Sequence, residues 1–142
     1  MKKRIISILV IVSILFAVLP VFSVMAESRE SNYITNYIAL LSAGSSSGEL
    51  TLTYRIKTTT AGMTRLGVLA IFVYRTDGSL ARTIIGSVSN GLMQTSGYTA
   101  SGTYSFNCEP GESYYCNVTF IAENASGSDV RDRTTNTVVA PL

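Results

Sequence analysis

The chain carries two thiols, Cys108 and Cys116, and no histidine that could activate either of them. Seven residues separate them, so the pair is neither a C-x-x-C redox motif nor a spacing typical of zinc ligands. Glu109-Pro110-Gly111-Glu112 lies between them and reads as a type II turn, with proline at i+1 and glycine at i+2. If strands flank that turn, alternation puts both sulfur atoms on the inward face. A cross-strand disulfide is the expectation, closing a short loop and stabilising the fold by about 2.5 kcal/mol. Two buried free thiols acting as small apolar fillers are the alternative. The absence of histidine excludes imidazole acid/base catalysis and histidine-ligated zinc, and two cysteines cannot make a four-cysteine site.

The remaining candidates for chemistry are weaker. Glu109 and Glu112 are a carboxylate pair, but they flank a tight turn and not the sugar cleft that glycoside hydrolysis needs. Lys57 could serve a Ser/Lys dyad only if it were buried, and its strand pattern points it to solvent, where the amine stays protonated. Asp129-Val130-Arg131-Asp132-Arg133, after Asn124 and Ser128, offers oxygen ligands to calcium, yet lacks the EF-hand spacing and interleaves arginines. It reads instead as a solvated edge strand guarded by charge. Tyr114 fits a structural tyrosine corner, its hydroxyl bonding backbone across the loop. Of the eight tyrosines, Tyr98 and Tyr115 are the ones expected to be exposed. Asn117-Val118-Thr119 and Asn124-Ala125-Ser126 match glycosylation sequons, which matter only in a eukaryotic secretory route. No catalytic residue, cofactor or metal ligand is assigned.

These residues sit behind a leader. Met1-Lys2-Lys3-Arg4 is cationic, Ile5 to Leu19 is apolar apart from serine, and Val24-Met25-Ala26 precedes Glu27. That is the pattern of a secretory signal peptide, with cleavage expected between Ala26 and Glu27. An uncleaved membrane anchor is the competing reading, since Ile5–Ala26 is just long enough to span a bilayer. The 142-residue chain has a formal charge of +2; its leader removes three of the 11 basic residues and none of the nine acidic ones, leaving −1. Serine and threonine supply 31 of the 116 residues from 27 to 142. The basic balance therefore belongs to the export signal, and nucleic-acid binding loses its main support.

From residue 27 on, the pattern is all β. Tyr33–Ala43 suits an edge strand, although its spacing would also fit a helix face. Glu49–Lys57 alternates cleanly, with Leu50, Leu52, Tyr54 and Ile56 on the apolar side. Leu66–Tyr74 is nearly continuous apolar sequence and predicts a central strand covered on both faces. Asp77-Gly78 marks a hairpin into Leu80–Val88. Strands are expected over Tyr98–Cys108, Tyr114–Glu123 and Val130–Ala140. About seven strands with turn signals between them predict one antiparallel, immunoglobulin-like β-sandwich over residues 27–142, preceded by the signal-peptide helix of residues 1–26.

The stretch Cys108-Glu109-Pro110-Gly111-Glu112-Ser113-Tyr114 resembles the corner between the fifth and sixth strands of fibronectin type III domains. Ala122-Glu123-Asn124 and Gly127-Ser128 resemble the end of the strand that follows. The family's buried tryptophan is missing, so the resemblance implies an immunoglobulin-like topology. Over its whole length the chain also resembles small uncharacterised secreted proteins of Gram-positive bacteria, through Gly48–Leu52, Met63–Val68 and Val118–Asp129. That implies a fold and an extracellular location, and no activity.

The functional expectation is a secreted, non-catalytic module that binds an extracellular protein or a cell-wall ligand. It implies no nucleic-acid partner, and membrane contact only through an uncleaved leader. A secreted effector is the alternative, a protease inhibitor or antibacterial protein presenting an anchor loop at Gly91–Gly97. A small hydrolase comes third.

Overall fold

A computed structural model describes residues 32–142; the leader and the Ala26–Glu27 junction lie outside the described residues. Seven strands of six or more residues carry the fold: β1 (Ile34–Ala43), β2 (Glu49–Thr58), β3 (Arg65–Arg75), β4 (Leu80–Ile85), β6 (Thr99–Asn107), β7 (Ser113–Asn124) and β8 (Gly127–Thr134). Two short pieces, β5 (Met93–Gln94) and β9 (Val138–Val139), complete it. They form two antiparallel sheets, one ordered β1-β2-β6 and the other β4-β3-β7-β8, with β5 added to β3 and β9 to β7. The all-β, antiparallel sandwich is the architecture the strand pattern predicts. In a constant-type immunoglobulin domain the fourth strand joins the sheet of the first, second and fifth. Here β4 pairs with β3 instead.

Alternation builds the core. Leu50, Leu52, Tyr54 and Ile56 of β2 face Tyr114, Cys116, Val118, Phe120 and Ala122 of β7, and all nine are buried. Each large apolar side chain withdrawn from water contributes about 1.5–3 kcal/mol. The β1 edge follows its expectation as a strand, with Ala39 and Leu41 turned inward.

The apolar run of β3 has a different cause from the one expected. A bulge falls between Val68 and Ala70, where the register against β7 shifts by one residue. Leu66, Val68, Ile71 and Val73 all reach the core because the extra residue restores the inward phase. Among the described residues no layer covers the other face. Phe72 and Tyr74 are only half-buried there, and Tyr74 stacks on Tyr115 of β7 with ring centroids 5.5 Å apart. Backbone contact fixes the strand's first turn. Gly67 has φ of 145°, and a Cβ there would collide with the Leu92 carbonyl, which accepts the Val68 N–H at 2.8 Å.

The last expected strand, Val130–Ala140, is in fact two. β8 begins earlier, at Gly127, and stops at Thr134; β9 then pairs with the start of β7. Asn136, in the break, turns its amide onto β1: its Oδ1 accepts the Leu41 N–H at 3.0 Å and its Nδ2 donates to Leu41 O at 2.8 Å.

Candidate functional site

Glu109–Glu112 does form a turn, but it does not close a hairpin. It carries the chain from β6 in one sheet to β7 in the other, so the cysteines sit on facing layers and not on paired strands. The expected disulfide is absent, and both thiols are free. Cys116 is buried in the core, while Cys108 is half-buried at the end of its sheet. Burial, and secondarily the neighbouring Cys108, pushes the Cys116 thiol up to about 12. Burial also raises Cys108, against the nearby Arg82 and Arg75. Neither thiol is disposed to act as a nucleophile at neutral pH.

Tyr114 is buried, and its hydroxyl accepts the Glu109 N–H at 3.2 Å across the turn. Glu109 stands on the surface near Arg75 at 3.9 Å, with no cleft between it and Glu112. Asp129 departs from the reading of a solvated edge. It is 3% exposed, because alternation along β8 turns it inward and Val130 outward. Its carboxylate accepts the Ile34 N–H at 2.9 Å and pairs with Arg131 at 3.2 Å. It joins the sheets along the β1–β8 flank, and its oxygens are occupied by that structural task. Among the described residues, no three histidine, cysteine or acidic side chains cluster as a metal site.

The Gly91–Gly97 segment is pinned down. Leu92 is fully buried, Met93 and Gln94 pair with β3, and Gln94 Nε2 donates to Ser96 O and Thr99 O.

Two shallow concavities lie on the outer face of the three-stranded sheet. Alternation sends Thr53, Arg55 and Lys57 of β2 outward, flanked by Asn36 and Ile38 of β1 and by Thr99, Ser101 and Thr103 of β6. Arg55 sits between Ile38 and Ser101, and Lys57 between Asn36 and Thr99. A polar groove of about 470 Å³ is lined by Thr35, Asn36, Arg55, Lys57, Tyr98 and Thr99. A second, less polar one of about 440 Å³ continues from Arg55 past Ile38 and Thr53 to Gly102. Both are shallow and share Arg55.

The groove's geometry is held from below. Thr58, buried at the end of β2, donates its hydroxyl to Tyr98 O at 3.0 Å, and its N–H donates there at 2.9 Å. That fixes the backbone of Tyr98 beside Lys57, and the residue stays 55% exposed. Thr35 Oγ1 donates to Lys57 O at 3.1 Å from the other side. Ion pairs among the described residues join Arg65 to Glu123, Arg75 to Glu109 and Arg131 to Asp129, while Arg55 and Lys57 belong to none. Glu49, the acid on the same strand, lies about 20 Å from Arg55 and about 26 Å from Lys57 along it. There it is held by Ser46 and Ser45 backbone N–H groups that lower its pKa.

Sequence reasoning placed Lys57 and Tyr98 at the surface but did not bring them together. The alternation of β2 was a usable signal for Arg55 and Lys57 on one face. The pairing of Thr58 with Tyr98, forty residues on, had none. No protein-family model matches the chain, and no curated protein is significantly similar to it.

Proposed function

We propose that the chain is an exported, non-catalytic recognition module of the extracellular space or cell envelope, and that it binds through the outer face of its three-stranded sheet. Export rests on the leader pattern, which lies outside the described residues. The observation that carries the reading is the pair Arg55 and Lys57. Both are exposed and, among the described residues, without a carboxylate partner, in a groove that also offers an aromatic ring and several hydroxyl and amide groups. Two cations at one end of a face whose acid, Glu49, lies at the far end of β2 give a local positive potential that favours an anionic ligand. A rigid sandwich presents such a face at little ordering cost on binding.

The effector reading calls for a protruding anchor at Gly91–Gly97; there Leu92 is buried and Met93 and Gln94 pair with β3, which favours the recognition reading over it.

The test uses residues 27–142, which include the whole described sandwich, incubated with isolated cell walls, membrane vesicles and a protease panel. Retention on walls, lost in the Arg55→Gln/Lys57→Gln double variant, is the expected outcome. Retention unchanged in that variant overturns the assignment of the groove. Inhibition of a protease without wall retention overturns the reading as a whole.

A further inference from the structure

The geometry points to a linear anionic glycopolymer as the ligand of this groove, lying along β2 with successive negative groups on Lys57 and Arg55. This rests on the groove being the binding site, as proposed above, and adds the chemical class of what fills it.

Arg55 and Lys57 are two residues apart on one strand, so their Cα atoms are separated by about 7 Å. Two cations at that spacing, pointing the same way, match charges repeated along an extended chain better than one small anion, which would sit against a single cation. The two grooves differ in polarity in the matching order. The first holds both cations together with Asn36, Thr35 and Thr99, groups able to bond anionic oxygens and sugar hydroxyls. The second, past Arg55, is floored by Gly102 and bordered by Ile38, Thr53, Ser101 and Thr103, and it carries no charge beyond Arg55 itself. A repeat in which a charged group alternates with an uncharged sugar or polyol meets both grooves in sequence. Tyr98, exposed and held at the Lys57 end, offers the flat amphipathic surface on which a sugar ring packs. From Thr53 to Lys57 the strand runs about 13 Å, the length of only a few repeat units.

Nucleic acid also carries repeated charges, but it is recognised through a broad basic surface. Among the described residues seven arginines and lysines are balanced by seven acids. Only Arg55 and Lys57 face this groove.

Binding of residues 27–142 is to be measured by calorimetry and by salt titration against four probes. These are a poly(glycerol phosphate) oligomer, an oligogalacturonate, neutral dextran, and single-stranded oligothymidylate of matched charge. The expected result is binding to a phosphate or carboxylate polymer and none to dextran, with log K falling by about 1.4 per tenfold rise in salt for two charge contacts at the single-strand coefficient of about 0.7 each. Arg55→Gln and Lys57→Gln are each expected to halve that slope and weaken binding about tenfold. Tyr98→Ala should weaken it several-fold without changing the slope. The phosphate and carboxylate arms identify which anionic group is preferred.

Oligothymidylate bound as tightly as either glycopolymer overturns the ligand class. So does wall retention that Arg55→Gln/Lys57→Gln abolishes but that neither anionic polymer competes. In that second case the groove remains the site and only its ligand is wrong. Loss of neither retention nor polymer binding in the double variant removes the groove itself.

Discussion

On the outer face of β1-β2-β6, Arg55 and Lys57 stand among hydroxyl and amide groups with no carboxylate opposite. On the sheet of β3, β4, β7 and β8, three of the five arginines, Arg65, Arg75 and Arg131, each meet a carboxylate at 3.2–3.9 Å, and Arg82 bonds the Asn107 carbonyl; among the described residues Arg133 alone there has neither. The backbones differ in the same sense. β2 alternates without a bulge against both neighbours' central stretches, while β3 is bulged and pressed against Leu92 at Gly67. The surface aromatics differ too: Tyr98 is exposed, while Tyr74 and Tyr115, the latter expected to be exposed, are half-buried against one another. One sheet has its special contacts spent on holding the fold together. The other is regular enough to leave groups unspent. If that division is real, substitutions in the first should move stability, and those on the outer face of the second should move only binding.

Gly67→Ala should produce the largest effect. The residue occupies a φ that L side chains rarely adopt, and its Cβ would meet backbone, which cannot step aside as a side chain does. Backbone strain of this kind costs about 1–3 kcal/mol before any collision is relieved, so a total of about 3 kcal/mol is expected. Chemical denaturation reads it directly. A loss under 1 kcal/mol would mean that β5 is free to move away and that this sheet is not locked as described.

Asp129→Ala comes next, at about 2–3 kcal/mol, because it strips the acceptor from a β1 amide and leaves Arg131 unpaired. The same variant should increase hydrogen exchange at Ile34 before any other β1 amide. An unchanged exchange rate there would separate the carboxylate from the flank it is said to close.

Alkaline pH offers a third handle on the locked sheet. The buried Cys116 thiol ionises near 12 in the folded protein, above its ordinary value of 9.0. Below the ordinary value both folded and unfolded chains keep the proton, and the stability it contributes is fully present. As pH rises from there toward 12, the unfolded thiol ionises first, and stability falls by about 1 kcal/mol per pH unit. Cys116→Ala should reduce the decline between pH 9 and 10, leaving the part that Cys108 and, toward pH 10, Tyr54 contribute, both also raised by burial. Parallel slopes for the two proteins would refute the assignment. At the junction between the sheets, Tyr114→Phe should cost about 1 kcal/mol, the net worth of one hydrogen bond to a turn amide.

How much of this was visible in the sequence depended on whether a residue's surroundings were local. The alternation of Leu50, Leu52, Tyr54 and Ile56 is a local signal and gave both faces of β2 correctly. The run Leu66–Tyr74 concealed a bulge, since an extra residue leaves the apolar pattern continuous and is fixed only by the register against β7. Pro110-Gly111 identified a turn, but whether a turn joins neighbours or crosses between layers depends on which strand lies where. That is why the thiols of Cys108 and Cys116 were paired on paper and are free in the fold. Asp129 read as surface because charged residues surround it in the chain, while its partner, the Ile34 amide, lies 95 residues away. Of the groove, Arg55 and Lys57 were within reach of pattern reasoning, and Tyr98 was not.

The smallest expected effect sharpens the comparison most. Arg55→Gln/Lys57→Gln removes two charges from the exposed face of β2, yet neither side chain has an ion-pair partner to lose among the described residues. Exposed substitutions away from caps, cores and networks usually stay within about 0.5 kcal/mol. Relieving the repulsion between two cations about 7 Å apart could raise stability slightly at low salt and leave it unchanged at high salt, where that repulsion is screened. Arg131→Gln is the matched control on the other sheet. It removes one charge instead of two, but that charge faces a carboxylate only 2% exposed, so it should cost more than the double variant. Its cost should shrink less with salt, because a pair with one buried member is poorly screened. If thermal melts at two salt concentrations show the double variant losing as much as Arg131→Gln, Arg55 and Lys57 are structural residues after all. The face they occupy would then no longer be set apart from the locked sheet.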